Sequence, residues 1–584
     1  MGQSLSCQLR TPGRGHVPFL DAGPKARLTC SASRFVGPLD GVVGFPVTAR
    51  GSALTRPEPP TGTFRQYRAR VGREIGWWYL VGGFVGSVAM AISGSALIVG
   101  YDGSIVKWWF GVVVPPSVGQ VGNYLACYAG MLALSGAWFG VLRRVRRSSI
   151  LRCRDLLVVG ALWACPLVVG PPLYSRDVYS YLAQGMLAHL QLSPYVYSPS
   201  VLGVTGFGSL LAAVSPVWRL TTAPYGPLFV SMAAWLAGMS GGHISGGAFL
   251  FRLPELVGIA LIAATLPPLA RRMGADPREA LWVGAVSPLV LFELLSAAHN
   301  DALMVGLLMV GLLLALDRRP LLGVAMCSLG TLVKVPALLG VAFIAWTWAR
   351  EHPDLRGKAG ALGLAASASA AVLAAGSALT AGFGWASSQL VTVPDKVSIP
   401  VSPSQSFASL IHLVSQQLGF GWSHVTIYGL VRAGGMVIGA TAILAILSRA
   451  RVPTLAPSLG AAMIIGVLLG TDIWPWYLTW GVVPLAAWRP AQRNWLLLVA
   501  VALFDFVITP AGQLVVPNKA SPAVALLWLV LAVVVWRSAR GSGPRQVLRR
   551  RQARLQLRPL RVRDREPAGS DQMADPVASP VSPT

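Results

Sequence analysis

Long apolar runs separated by short polar breaks make up most of the chain. Most runs are long enough to cross about 30 Å of hydrocarbon as helices, which satisfy their own backbone hydrogen bonds. We therefore predict an all-α, polytopic membrane protein with about 12–14 transmembrane helices. The predicted segments lie near 75–100, 119–142, 155–173, 224–240, 248–270, 281–297, 302–316, 321–348, 359–382, 424–447, 455–471, 474–488, 494–513 and 522–536.

One apolar run, 321–348, does not fit a simple crossing. Arg319 and Arg350 flank it on the same predicted side, and the run is too short for two full spans. It is interrupted at Lys334-Val335-Pro336. Because non-helical backbone inside a membrane must line protein or a wet cavity, we predict a re-entrant hairpin with Lys334 at its tip.

The long loop 174–223 contains a helical pattern of apolar residues. The residues at this spacing are Tyr179, Leu182, Met186 and Leu190. Such a pattern is typical of an amphipathic helix lying in the membrane interface, and 206–219 and 405–418 look similar. We predict interfacial helices in the outer loops, forming a vestibule where a lipid-linked substrate docks.

Composition excludes several soluble classes. Of the 584 residues, 54% are hydrophobic and 12% are charged, whereas a soluble domain carries about a quarter charged residues. The net charge is nonetheless +26. A chain this apolar cannot supply the water-facing basic stripe of a nucleic-acid-binding protein, so the predicted partners include membrane lipids and no nucleic acid.

The arginine excess indicates orientation. Arginine clusters follow apolar segments, as at 143–147 and 271–272, and the positive-inside rule assigns such clusters to the cytoplasm. We predict a multi-pass protein of the cell membrane with both termini cytoplasmic. The predicted domains are a disordered basic cytoplasmic tail at 1–74, a transmembrane domain at 75–536, and a second disordered basic cytoplasmic tail at 537–584. The first tail is either a true extension or upstream sequence included by an early start codon.

Cysteine carries no predicted chemistry. The six cysteines include no CxxC pair and no Cys/His cluster at metal spacing. Four of them lie in or beside apolar segments, where a free cysteine behaves as a small hydrophobic residue. We predict neither a disulfide framework nor a zinc site from these cysteines.

The first polar cluster on the predicted outer face is the stretch 174–181, just beyond the third span. Asp177, flanked by Arg176, can act as a general base for a hydroxyl nucleophile. It can equally act as a helix N-cap, a position that favours Asp. The two roles are compatible, and Tyr181 follows on the same segment.

Two further clusters are candidate binding surfaces. His299-Asn300-Asp301 is either a plain loop or a set of donors and acceptors suited to sugar hydroxyls or phosphate. The stretch 471–477 contains Asp472, Trp474 and Trp476. Its aromatic residues are either an interfacial belt or a surface that stacks on sugar rings.

Three acids within apolar segments leave a second function open. Glu255, Glu293 and Asp505 lie where a carboxylate costs roughly 2.5–3.5 kcal/mol, so they are expected to face a cavity. Together with broken helices they would suit ion coupling in a transporter or a lipid-linked-sugar flippase. No inverted repeat is visible in the sequence, and the polar residues gather at one predicted face.

The motifs, in order, resemble integral-membrane GT-C glycosyltransferases, and most closely the actinobacterial polyprenol-phosphomannose-dependent α-1,6-mannosyltransferases of lipomannan synthesis. The resemblance covers roughly residues 155–515. The motifs that carry it are RDVYSYLAQGMLA (176–188), SPY (193–195), PYGPL (224–228), AHNDALMVG (298–306), LVKVPALL (332–339) and DIWPWYLTWG (472–481). Ser193 and Ser287 stand where relatives often have Asn, which puts acceptor or sugar specificity in question.

The resemblance implies inverting transfer of mannose from polyprenyl-phosphate-mannose to a mannan or lipoglycan acceptor at the outer face. Asp177 would be the catalytic base. Lys334, with Arg176 or His299, would hold the leaving phosphate. Asn300 and Asp301 would orient sugar hydroxyls or, less favoured, a divalent cation, and the sequence establishes no cofactor. The remaining predicted substrate-binding residues are Tyr181, Tyr225, Asp472, Trp474 and Trp476.

Overall fold

Apolar runs rich in Leu, Ala and Val form helices throughout the computed structural model, which describes residues 64–98, 119–386, 399–470 and 473–541. These residues contain no β-strand, only one antiparallel bridge between Ile508 and Leu514. The predicted all-α, polytopic architecture is confirmed. A helix begins at Phe64, inside the predicted N-terminal tail, and the last helix ends at Gly541. The rest of both predicted tails lies outside the described residues.

The first half of the described chain forms fourteen α-helices and a π-helix at Val290–Ser296. The α-helices are α1 Phe64–Ile75, α2 Trp77–Ile98, α3 Gly119–Arg147, α4 Cys153–Val169, α5 Asp177–His189, α6 Gly208–Ala213, α7 Pro216–Arg219, α8 Pro227–Ser240, α9 Ile244–Leu250, α10 Arg252–Arg272, α11 Pro277–Gly284, α12 Asp301–Leu316, α13 Pro320–Thr331 and α14 Leu338–Ala349.

The second half is built in the same way. Its helices are α15 Leu355–Leu379, α16 Pro403–Gln417, α17 His424–Arg449, α18 Leu455–Leu469, α19 Pro475–Ala486, α20 Arg489–Gln492, α21 Trp495–Leu503 and α22 Ser521–Gly541. Short 3-10 turns join several of them, including Val335–Ala337 before α14 and Phe504–Val507 after α21.

Six helical segments in the described chain are long and apolar enough to cross a membrane. The π-helix and α12 form a seventh if this pair, bent by 113°, is one span. Five shorter apolar helices accompany them. The number of 12–14 crossings stays a prediction, because the shorter helices do not fix by length alone whether they cross.

The predicted interruption of 321–348 is present. α13 ends at Thr331 and α14 begins at Leu338, and Lys334 lies in the extended residues between them. Pro336 cannot donate a backbone hydrogen bond and falls where the helix breaks. A cation and a proline in the middle of an apolar run therefore indicated the break correctly.

The helix after Asp177 is more deeply buried than its amphipathic pattern suggests, and its position in the membrane interface stays a prediction. α5 forms as predicted, but every residue from Val178 to Leu187 is buried. Protein therefore covers the polar face of this helix as well as its apolar face. Here α8 and α9 pack against it, and the residues of 199–213 cover another side.

The central helices approach one another closely. A Cβ at Gly258 of α10 would lie 2.2 Å from the carbonyl carbon of Ala302 in α12, and one at Gly306 would lie 2.6 Å from the carbonyl oxygen of Gly258. Small residues at such contacts let helix backbones touch, as in other membrane proteins. This contact fixes the first turn of α12, which begins at Asp301.

Candidate active site

Asp177 lies where the chain turns from α4 into α5. Tyr174 has the unusual left-handed φ of 68°, and its N–H donates to the carbonyl oxygen of Pro510 at 2.9 Å. The N–H of Asp177 donates to Oγ of Ser175 at 3.1 Å. A bulky residue at positive φ is strained and is retained where its surroundings require it. The turn is therefore held from outside as well as locally.

The carboxylate of Asp177 is bound by a tryptophan. The indole N–H of Trp218 donates to Oδ1 of Asp177 at 3.0 Å, while the N-cap position of α5 is Arg176. Burial raises the pKa of the Asp177 carboxyl from 3.8 to about 6, although Lys334 and the Trp218 hydrogen bond act in the opposite direction. A carboxyl group with such a pKa is suited to accept a proton near neutral pH.

Arg176 contacts the end of α6, just before the short helix α7 that carries Trp218. Its guanidinium donates to the carbonyl oxygens of Ala213 at 3.0 Å and Ala212 at 3.1 Å. The guanidinium of Arg219 donates to the same Ala212 oxygen at 2.7 Å. Arg176 thus organises the segment that holds Asp177, and its predicted contact with phosphate stays a prediction.

The turn before α12 is shaped by the π-helix, by Ala298 and by a buried arginine. Arg252 donates to the carbonyl oxygens of Leu295 at 3.3 Å and Ser296 at 3.0 Å, at the end of the π-helix. Ala298 then adopts a φ of 58°. π-helical turns are frequent at functional sites, and this one directs His299 toward Asp177.

His299 is completely buried and lies between Asp177 and Trp476. Its Nδ1 lies 2.7 Å from the carbonyl oxygen of Glu293, and its Nε2 lies 3.8 Å from Oδ2 of Asp177. The imidazole stacks on Trp476 with ring centroids 3.9 Å apart. Trp474 stacks in turn on Trp476 at 4.8 Å. Trp476, from the predicted aromatic stretch, therefore packs against the predicted His299-Asn300-Asp301 cluster.

Lys334 and Asp301 form a buried ion pair. Nζ of Lys334 lies 3.0 and 2.8 Å from the two carboxylate oxygens of Asp301, which is fully buried. The indole N–H of Trp480 donates to the same carboxylate. Nζ also lies 4.8 Å from the centre of the Tyr477 ring, a favourable cation–π distance. The sequence assigned the two charged residues to separate tasks, but the structure pairs them.

The backbone beside Lys334 is bonded to the 224–228 motif. The N–H of Gly226 donates to the Val333 carbonyl at 3.0 Å, and that of Leu228 to the Leu332 carbonyl at 3.1 Å. A Cβ at position 226 would lie 2.1 Å from the Leu332 carbonyl oxygen. Only glycine fits so close to the Leu332 carbonyl group, and these hydrogen bonds hold the backbone next to Lys334 in place.

Replacing Gly226 by Ala is expected to lower the melting temperature of the purified protein by several degrees, because the backbone at Leu332 must move. Gly363→Ala is the matched control. Gly363 lies within α15 with no neighbouring atom within 4 Å of an added Cβ, and alanine there favours the helix. Thermal unfolding in detergent compares the two; equal melting temperatures would contradict the close contact at Gly226.

The other predicted binding residues differ in how far they are buried. The rings of Tyr181 and Tyr225 meet edge to face at 5.1 Å, and both residues are buried. The amide of Asn300 is buried without a hydrogen-bond partner in the described structure, whereas Trp474 is partly exposed. Asp472 lies outside the described residues.

Two tryptophans at the site were not predicted from the sequence. Trp218 follows Ser-Pro-Val in the stretch 206–219, where the pattern predicts an interfacial helix, and Trp480 lies within the motif 472–481. Indole N–H groups seek acceptors when buried, so tryptophans within motifs that contain acids were the available signal. Among the described residues no group of three or more His, Cys, Asp or Glu side chains is arranged to hold a metal ion.

Comparisons with known proteins place the chain in a family. Residues 80–350 match the family described as alpha-(1->6)-mannopyranosyltransferase, N-terminal domain, and residues 405–540 match the MptB C-terminal domain. No solved structure matches the chain.

Several named proteins are similar along much of their length. A probable alpha-(1->6)-mannopyranosyltransferase of Mycolicibacterium smegmatis is 32% identical over 78% of this chain and 89% of its own length. Alpha-(1->6)-mannopyranosyltransferase A of Mycobacterium tuberculosis is 32% identical over 66% and 74%, respectively. Its namesake from Corynebacterium glutamicum is 28% identical over 70% and 88%. The chain therefore belongs to the alpha-(1->6)-mannopyranosyltransferase family.

Proposed function

We propose that this protein transfers mannose, with inversion, from polyprenyl-phosphate-mannose to a mannan or lipoglycan acceptor, forming an α-1,6 linkage, within a GT-C-like fold. The observation that carries the proposal is the largely buried Asp177 carboxylate within one cluster with His299, Asp301 and Lys334. Inverting displacement needs one base and one stabilised leaving group, and this cluster supplies a candidate for each.

Asp177 is the proposed base. It removes the proton of the acceptor 6-hydroxyl as that oxygen attacks the anomeric carbon. The bond from the anomeric carbon to the phosphate oxygen breaks, its electron pair leaves with the polyprenyl phosphate, and a β-mannosyl phosphate yields an α-mannoside. The raised pKa of Asp177 favours proton uptake at this moment.

Lys334 is the proposed contact of the leaving phosphate. Its side chain keeps 13% exposure despite the bond to Asp301, so its cation can reach a ligand. An apolar cavity of about 300 Å³ begins beside it, lined by residues that include Val335, Pro336, Met463 and Trp480. A cation at the edge of an apolar cavity suits a phosphate attached to a prenyl chain.

Asn300 and Trp474 are the proposed sugar contacts. A buried amide without a partner costs free energy unless a ligand satisfies it, and both polar atoms of the Asn300 amide are in this condition in the described structure. Trp474 stacks on Trp476 and is partly exposed. This arrangement supports recognition of a sugar ring and its hydroxyls.

The outer face is the proposed side of the reaction. Arginines crowd the opposite ends of the helices, as at Arg271 and Arg272 at the end of α10, and the positive-inside rule assigns those ends to the cytoplasm. Asp177, Asp301 and Lys334 lie at the other ends of their segments. A multi-pass protein in the cell membrane with cytoplasmic termini follows from this orientation.

Purified protein in detergent tests the proposed function. It is supplied with polyprenyl-phosphate-mannose and a short α-mannoside, with no ion gradient. We expect a mannoside extended by one residue in the mass spectrum, with an α-1,6 linkage by NMR. A folded protein that yields no extended product would overturn the proposal and favour the transporter alternative.

Transfer should depend on pH through Asp177. The group must be deprotonated to act, so a pKa raised to about 6 predicts a rate that falls about tenfold per unit below pH 6 and levels off above pH 7. Trp218→Phe removes a hydrogen bond that stabilises the carboxylate. The acid limb of this variant, the low-pH part of the profile in which the rate falls, should therefore move to higher pH.

Trp385→Phe is the control for this pH profile. The Trp385 indole N–H donates to Oγ of Ser377 at 2.9 Å, a neutral acceptor, so its loss changes no carboxylate. Rates measured from pH 4.5 to 8 should coincide for this variant and the unsubstituted protein. If the acid limb of Trp218→Phe stays in place or moves to lower pH, the Trp218 hydrogen bond does not lower the pKa of Asp177.

A further inference from the structure

The buried acids behind Asp177 have no place in the proposed reaction so far. Glu293 and Asp505 are both fully buried, and their carboxyl groups interact with each other. Neither receives a hydrogen bond from a donor in the described structure. Two facing carboxyl groups without a donor are compatible with burial when they share one proton.

His299 joins this pair to Asp177. The short contact between Nδ1 and the Glu293 carbonyl oxygen, at 2.7 Å, requires a hydrogen on Nδ1, because a carbonyl oxygen only accepts. Oε2 of Glu293 lies 3.6 Å from the same nitrogen and favours the same tautomer. In the neutral imidazole Nε2 then carries a lone pair and no hydrogen.

That lone pair faces Asp177 without a hydrogen between them. Nε2 of His299 and Oδ2 of Asp177 are 3.8 Å apart, beyond hydrogen-bonding distance, and Nε2 has no partner among the described residues. Two acceptors repel while both lack a hydrogen. A proton on Oδ2 would convert this gap into a hydrogen bond of about 2.8 Å.

We propose that His299, oriented by Glu293 and its partner Asp505, sets the proton affinity of Asp177 by accepting a hydrogen bond from it once Asp177 has taken the acceptor's proton. His299 is thus a positioning residue that acts through the base and is not a phosphate ligand. This inference rests on the proposed function for its chemical meaning and refines the role of His299 within the same site.

The proton balance is simple. The acceptor O–H bond breaks as its oxygen bonds to the anomeric carbon, and the proton moves to Oδ2 of Asp177. It stays on that oxygen, donated to Nε2 of His299, while polyprenyl phosphate leaves. The proton then passes to water from Asp177, whose side chain is 13% exposed whereas that of His299 is fully buried.

Other charged or titratable groups surround this contact and remain in place in the test. They come from the turn before α5, the loop before α8, α10, α12 and the break before α14. With Tyr181 on α5, they include Tyr174, Tyr225, Arg252, Glu255, Asp301 and Lys334. A change at position 299 that keeps all of them isolates the imidazole's own effect.

The test compares His299→Phe, which keeps a ring against Trp476, with His299→Gln, whose amide oxygen can replace Nε2 as acceptor. In His299→Phe we expect the acid limb of the transfer rate to move about one unit to lower pH, a tenfold lower proton affinity. His299→Gln should restore the limb, and KM for the donor should stay unchanged in both. Glu293→Gln removes the negative charge of the buried acid pair, so it should move the acid limb to lower pH, as His299→Phe does.

Two controls complete the design. His352→Gln changes an imidazole beyond the C-terminus of α14, at the end away from Lys334, and should leave the profile unchanged. The Asp177 carboxyl is also titrated by infrared difference spectroscopy, with Asp177→Asn identifying its band, so that its midpoint is measured without turnover. The midpoint should move down in His299→Phe.

The outcomes separate the two proposals. The inference is overturned if the acid limb of the transfer rate and the infrared midpoint of Asp177 both stay in place in His299→Phe, whether or not the overall rate of this variant falls. A raised donor KM with an unchanged limb would make His299 a phosphate ligand instead. If the unsubstituted protein forms no product but the midpoint shifts as expected, the proposed function fails while the coupling of His299 to Asp177 stands.

Discussion

Asp177→Asn is expected to lower mannosyl transfer by about 10²–10⁴-fold, the usual contribution of a general base. The amide oxygen can still accept the Trp218 hydrogen bond, so the fold should persist. What is lost is the ability to take up the acceptor's proton as the new glycosidic bond forms. Initial rates with polyprenyl-phosphate-mannose and a short mannoside measure the effect, and the melting temperature verifies folding.

Asp317→Asn is the matched control for this substitution. Asp317 follows α12 and forms an ion pair with Arg272 in which both side chains are more than one third exposed. Exposed pairs contribute little to stability, so rate and melting temperature should both stay close to those of the unsubstituted protein. If Asp177→Asn were to transfer mannose within a few-fold of normal, Asp177 could not be the base.

The sequence predicted the parts of this site that local chemistry determines. A proline and a lysine inside an apolar run located the break at Lys334, since both are unfavourable within a membrane helix. An acid at the end of a span located Asp177. These features belong to single segments and need no knowledge of how the segments pack.

The parts that depend on packing could not be predicted. Asp301 and Lys334 are separated by 33 positions, and the packing of α12 against α13 brings them to the same end of the helix pair. The apolar stripe of α5 predicts one buried face, whereas polar residues such as Ser180 and Gln184 are buried as well. A periodic pattern reports which residues prefer burial, and it does not report what later segments cover.

Lys334→Met is expected to affect both transfer and stability. Loss of a cation that stabilises the leaving phosphate should lower transfer by about 10²–10³-fold. The buried Asp301 carboxylate also loses its partner, and breaking a buried ion pair from one side costs about 3–5 kcal/mol. A lower melting temperature in detergent should therefore accompany the lower rate.

The double variant Lys334→Met with Asp301→Asn separates these two effects. Removing both charges eliminates the unpaired buried carboxylate, so the melting temperature should recover, while transfer should remain low because no cation faces the phosphate. Lys358→Met, in the first turn of α15, serves as a lysine control and should change neither quantity. Recovery of transfer together with the melting temperature would mean that Lys334 only neutralises Asp301. If Asp301→Asn alone keeps transfer, a stable but inactive double variant instead requires the cation itself, because Asp301 then no longer needs a partner and the phosphate still does.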